Sequence, residues 1–259
     1  MNTPELYSFP ITSQASSLSV GGTAFLAMMK GREFLATVAH ALTGHQNFTA
    51  AWSEWAPALR IEDGVPSPIP PDLARQAAPI RVMSGSAQQS VPRFWFTRTI
   101  HSSSQFVDIV LLPTNRHWKW AEGLPRVQVE KCAPPSLGDR LYLAGYPTDN
   151  WPERRTISGP VLSVPDARSG HLTANLLAEP GFSGSPVFTQ GGGFVGVCVG
   201  HDNNDPTVAQ IIPPGPILAA GHAPGGFFHA LENADWWGHQ APRNDVFEGA
   251  GMNPSRRVI

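Results

Sequence analysis

A chain of 259 residues with a formal net charge of −2 can bury a large core, yet carries no electrostatic footprint for nucleic acid or an anionic membrane. Two cysteines, Cys132 in a connector-like stretch and Cys198 inside an apolar run, are too few for a disulfide framework. The amino-terminal stretch MNTPELYSFPITSQASSLS lacks the basic start and apolar core of a secretory signal, and no later stretch approaches a membrane-spanning run, so the expectation is a cytoplasmic chain with no membrane partner.

Along the chain, short β-type runs alternate with turn residues, and 25 glycines with 26 prolines leave little room for long helices. The first half offers GGTAFLAMM (21–29), REFLATVAH (32–40), PRFWFTRTI (92–100) and FVDIVLLP (106–113), each apolar or β-branched and bounded by breakers. Residues 55–78 are proline-rich without periodicity and read as an extended surface loop inserted in that half. EGLPRVQVEKCAPPSLGD (122–139) reads as a connector. The second half repeats the pattern with DRLYLAGYP (139–147), RTISGPVLSV (155–164), SPVFTQ (185–190) and GGFVGVCVG (192–200), where Gly191, Gly192 and Gly193 suit a hairpin turn. After Pro224, GGFFHALENADWW sets Phe227 and Leu231 on one face of a short helix, with Trp236 and Trp237 as its anchors, and a polar tail follows from residue 239.

Three separated residues carry the chemistry. GFSGSPVF (181–188) holds Ser183 between permissive glycines on a turn that runs into a strand. His40 stands at the end of TVAH, and Asp108 opens DIVLL. In the order His, Asp, Ser these are the groups that nucleophilic acyl transfer requires: a hydroxyl, a base, and a carboxylate that orients the base. Asp202, Asp205, His222 and His229 follow Ser183, the order used by α/β-hydrolases. Their nucleophile elbow needs glycine at position 185 and a helix after it, whereas this chain has Ser185 and then Pro186-Val187-Phe188. The nine histidines show no His-Glu-Xaa-Xaa-His or cysteine-paired spacing, so neither a metal nor a cofactor is expected.

Together GGTAFLA, TVAHAL, FVDIVLLP, LGDRLYLAGYP, EPGFSGSPVF and FVGVCVG resemble the trypsin-like serine peptidases of the chymotrypsin fold, in the style of bacterial members without disulfides. The resemblance implies an all-β chain of two antiparallel β-barrels with a short C-terminal helix. Residues 1–125 would form the first barrel with His40 and Asp108. Residues 126–238 would form the second, carrying Ser183 and ending in the helix, and residues 239–259 a polar tail. It implies His40, Asp108 and Ser183 as the triad, with the N–H groups of Gly181 and Ser183 as the oxyanion hole and Gly184 leaving room beside the hydroxyl. Family spacing puts the base of the specificity pocket at Leu177 and its wall at Val199, Gly200 and His201. Leucine offers no partner to a basic substrate side chain, so apolar residues are expected before the scissile bond.

Phe182 stands where zymogens of the mammalian type have an aspartate, and no Ile-Val-Gly-Gly start is present, so activation by a freed amino terminus is not expected. The expected partners are a protein or peptide substrate and an activating protein that acts on substrate access or on the oxyanion turn. The alternative reading is a catalytically silent relative that binds protein through the cleft or the 55–78 insertion.

Overall fold

The computed structural model describes residues 4–15, 18–38, 40–43, 59–61, 95–99, 106–113, 123–150, 153–165, 171–202, 204–222 and 228–231. In the first half lie β1 (Ser8–Ala15), β2 (Leu18–Met29), β3 (Arg32–Thr37), the short α1 (His40–Thr43), β4 (Leu59–Ile61), β5 (Trp95–Thr99), β6 (Phe106–Pro113) and β7 (Val127–Gln128). The second half contains β8 (Arg140–Gly145), β9 (Arg155–Ser163), β10 (Leu172–Asn175), β11 (Pro186–Thr189), β12 (Phe194–His201), β13 (Val208–Ile212), α2 (Pro214–His222) and β14 (Phe228–Leu231).

The second half closes into a six-stranded antiparallel barrel in the order β10-β13-β12-β11-β8-β9. Its interior is filled by Leu141, Leu143, Leu172, Phe182, Val187 and Ile211. β9 alternates between inward and exposed residues over much of its length, the period-2 pattern of a strand with one wet face. β12 instead buries five residues in a row, from Phe194 to Cys198, because α2 also packs against it.

Among the described residues the first half is an eight-stranded sheet, ordered β14-β5-β6-β3-β2-β1-β4 with β7 attached to β2. Two of its pairings, β7 on β2 and β14 on β5, are parallel, unlike the antiparallel remainder. Both strands are contributed by segments that follow residue 125.

Two local expectations are corrected. The helix lies at Pro214–His222, and Phe228–Leu231 is a strand aligned with Phe96–Thr99 of β5. Pro213, Pro214, Gly215 and Pro216 read as breakers, but a proline in the first helical turn lacks only an N–H that has no intrahelical partner there. Four residues such as FHAL are too short for periodicity to separate strand from helix, and an available sheet edge decided the matter. The 55–78 insertion is not wholly a loop, since Leu59–Ile61 pairs antiparallel with β1. Its other residues, with Trp236, Trp237 and the 239–259 tail, lie outside the described residues. The hairpin at the three glycines is as expected, closed by Gly192 N–H to Thr189 O and Thr189 N–H to Gly193 O, both at 2.9 Å.

The halves are stitched together at several points. In the connector, Val129 is fully buried and Ala133 N–H donates to Phe194 O at 3.0 Å. At the amino end, Arg154 donates to the Glu5 carbonyl at 2.6 Å, the Tyr7 and Phe188 rings pack at 5.2 Å, and the Tyr146 hydroxyl donates to Ser8 O at 3.0 Å. Burial pushes the Tyr146 phenol up to about 12, which keeps it a donor across the physiological range.

Candidate active site

Strand register explains how His40 meets Asp108. β3 and β6 pair antiparallel with Thr37 opposite Val110, so the end of β3, just ahead of His40 in sequence, lies beside the start of β6, which carries Asp108. The chain leaves the strand there, and His40 opens α1 rather than ending a strand. Asp108 is correspondingly the third residue of β6, not the first. Its carboxylate accepts the His40 backbone N–H at 3.0 Å through Oδ1 and the ring Nδ1–H through Oδ2.

That arrangement fixes the tautomer, leaving Nε2 as the lone-pair nitrogen. Side-chain exposures of 17% for His40 and 14% for Asp108 shelter the pair from competing water. Burial disfavours the imidazolium, but the Asp108 charge and its hydrogen bond outweigh it, so the His40 pKa stands above its ordinary 6.5.

Ser183, carried by the six-stranded barrel, is brought against β2. An ideal Cβ on Gly22 would lie 3.4 Å from both Ala41 Cβ and Ser183 O, so one point on β2 touches the residue after the histidine and the Ser183 turn. Thr23 N–H donates to Ser183 O at 2.8 Å. On the other side, Gly184 N–H donates to Cys198 O at 2.8 Å and Cys198 N–H to Ser185 O at 2.9 Å, which staples the turn to β12. The Ser183 hydroxyl donates its single proton to the Val199 carbonyl at 2.7 Å.

The flanking glycines are dictated by geometry. Gly181 has φ +104°, and a Cβ there would lie 2.1 Å from Tyr146 O; Gly184 has φ +90°, and its Cβ would lie 1.9 Å from Thr23 O. The Pro180 carbonyl accepts Thr148 N–H at 2.9 Å, and the Phe182 carbonyl accepts Ser185 N–H at 3.0 Å. Across a planar trans peptide the C=O and N–H point in opposite directions. The Gly181 and Ser183 N–H groups therefore point away from Thr148 and Ser185, and neither has a backbone partner among the described residues.

The remaining expected residues are spread around this centre. Gly200 is adjacent, since a Cβ on it would lie 3.7 Å from Ser183 Oγ. His201 is exposed with Nδ1 3.3 Å from Ala178 O, and Leu177 is half-exposed at 51%. Asp202 and Asp205 form local turns, accepting from Asn204 N–H at 2.8 Å and Thr207 N–H at 2.9 Å. That use as turn formers, and the closed antiparallel barrel around them, remove the α/β-hydrolase option.

Sequence reasoning missed Thr23, Thr148 and His171. The first two act through backbone groups far away in sequence, for which no local signal exists. His171 precedes β10, and burial holds its imidazole below the usual range although the Asp108 charge pulls the other way.

A profile of the trypsin-like peptidase domain matches residues 22–197, more than half of the chain. The chain belongs to the trypsin-like peptidase family. Both cysteines of this trypsin-like chain are free thiols, and burial pushes Cys198 up to about 12. Two solved structures are similar to this chain. The serine endoprotease from Yersinia pestis is similar over 81% of this chain and 59% of its own, at 12% identity and a TM-score of 0.50. The active form of the Rv3671c protease from M. tuberculosis is similar over 84% of this chain and 80% of its own, at 19% identity and a TM-score of 0.49. None of the curated proteins compared matches the sequence.

Ser185, two residues beyond Ser183, is fully buried, and its hydroxyl has no hydrogen-bond partner among the described residues. It cannot reach a substrate. Ser185→Ala should leave hydrolysis unchanged and, by removing an unsatisfied hydroxyl, stabilise the fold by ~1 kcal/mol. A urea midpoint above wild type checks this; a large loss would mean that the hydroxyl has a partner.

Proposed function

We propose that the chain is a serine endopeptidase working through Ser183, His40 and Asp108. The observation that carries this reading is the Asp108 carboxylate on both the backbone N–H and Nδ1–H of His40, which leaves Nε2 as a general base within the sheet that also holds the Ser183 turn. In the reaction, the Ser183 hydroxyl leaves the Val199 carbonyl and gives its proton to His40 Nε2 as Oγ bonds to the substrate carbonyl carbon. The new oxyanion accepts the Gly181 and Ser183 N–H groups, which contribute about 3–4 kcal/mol each in comparable sites. His40 returns the proton to the leaving amine, the C–N bond breaks, and an acyl ester on Ser183 remains. Water, deprotonated by His40, then releases the acid and restores the hydroxyl.

The half-exposed Leu177, by family spacing at the pocket base, supports cleavage after small or medium apolar residues. Cut sites mapped on a denatured proteome test this, and a majority after Arg or Lys would overturn it. The bonds holding the Pro180 and Phe182 carbonyls support an oxyanion turn that is formed without help, so an activating partner would act on the Ser183 hydroxyl or on substrate access.

One observation favours the second reading, a silent protein-binding module: the Ser183 proton lies on Val199 O and not on His40. A fluorophosphonate probe separates the two. An adduct on Ser183, absent from Ser183→Ala, supports the peptidase; no labelling of purified wild type at neutral pH supports the module.

A further inference from the structure

We infer that Thr23 is the positioning residue that holds the oxyanion turn in register with the catalytic histidine, an inference that deepens the serine-peptidase reading and rests on it. Thr23 is completely buried in β2 and is bonded through all of its polar groups. Its hydroxyl donates to Gly181 O at 2.8 Å and accepts Tyr146 N–H at 3.3 Å. Its N–H donates to Ser183 O at 2.8 Å. Its carbonyl accepts the Thr37 hydroxyl at 2.9 Å and is the atom that a Cβ at Gly184 would strike. One residue of the first sheet therefore touches Gly181, Ser183 and Gly184, and through Thr37 it is tied to the end of the strand that leads into His40.

The turn needs such a tie because of its own composition. Glycine at φ +104° meets little steric resistance to rotation, so the direction of its N–H is set from outside. The Pro180 carbonyl, bonded to Thr148 N–H, fixes the peptide on one side of Gly181. The Thr23 hydroxyl fixes the Gly181 carbonyl on the other. Without the hydroxyl, the second peptide keeps only the bond from Phe182 N–H to Glu179 O at 3.1 Å, while the Gly181 carbonyl and Tyr146 N–H lose their shared partner. Oxyanion stabilisation depends on donors held within a few tenths of an ångström, so loosening this tie should weaken the transition state more than the ground state.

Thr23→Val keeps the shape and the backbone N–H but deletes the hydroxyl. The expected result is a fall in kcat of about 10- to 100-fold, less than the 10²–10³ for outright loss of an oxyanion donor, with KM within about threefold of wild type. Affinity for a peptidyl aldehyde, which forms a tetrahedral adduct, should fall by the same factor as kcat/KM. The acid limb of the pH profile should stay in place, because His40 and Asp108 are untouched, and Thr23→Ser should recover most of the rate. A merely structural role would lower thermal stability and leave kcat of the folded fraction unchanged, overturning the inference. Failure of the peptidase reading is separable from this: wild type itself would then neither hydrolyse peptides nor take the fluorophosphonate. In that case ¹⁵N relaxation of the Gly181 and Ser183 amides still decides. Exchange broadening that appears in Thr23→Val and is reversed in Thr23→Ser supports the tie, and identical relaxation in all three proteins refutes it.

Discussion

Ser183→Ala and His40→Ala should each lower kcat by about 10⁶-fold, and the double variant should be no slower than either. In the proposed mechanism nucleophile and base act in one step, so once either is missing the other has nothing to contribute. The residue of activity should come from the Gly181 and Ser183 N–H groups and from substrate binding, which survive both substitutions. Folding should be little affected by Ser183→Ala, whose only lost side-chain hydrogen bond among the described residues is that to Val199 O. The measurement is single-turnover hydrolysis of a peptide, with urea unfolding as a control. Substantial turnover by Ser183→Ala would remove Ser183 as the nucleophile, and independent, multiplying losses in the double variant would remove the shared step.

Asp108→Asn should cost about 10⁴-fold at neutral pH and displace the acid limb of the profile. In the proposed mechanism catalysis needs neutral His40, so wild-type kcat/KM should rise with pH through a free-enzyme pKa above 6.5. Replacing the carboxylate removes both influences that raise this pKa and leaves burial, which lowers it. The limb should therefore move to lower pH while the plateau falls. The plateau falls because an asparagine amide can donate to Nδ1, which moves the ring proton to Nε2 and makes that nitrogen useless as a base. Stability follows the opposite course. A histidine whose pKa is raised on folding stabilises the protein fully below its unfolded value, near 6.5, and this contribution is lost as pH rises through the folded value. Wild type should thus lose the stabilisation of the His40–Asp108 pair over the range in which it gains activity, and Asp108→Asn should flatten that dependence. An acid limb at the same pH in both proteins would show that another group governs it.

Much of this was legible in the sequence because the relevant signals are local. FVDIVLLP, DRLYLAGYP and GGFVGVCVG carry their own β-type composition and breakers, and each contains a strand. Gly181 and Gly184 suit a turn that needs positive φ, and the proposal of His40, Asp108 and Ser183 as catalytic groups starts from the chemistry in their motifs. What the sequence could not decide depends on atoms brought together from far apart. FHAL became a strand because a sheet edge was free beside it, and Pro214–His222 became a helix because prolines in a first turn cost it no hydrogen bond. The Thr23 hydroxyl meets Gly181 across 158 positions, and Thr148 meets Pro180 across a barrel loop. The residue types at the centre are determined by sequence alone. The directions of the Gly181 and Ser183 N–H groups are determined only by folding, because a glycine turn has no torsional preference strong enough to aim them and must take its orientation from the groups packed around it.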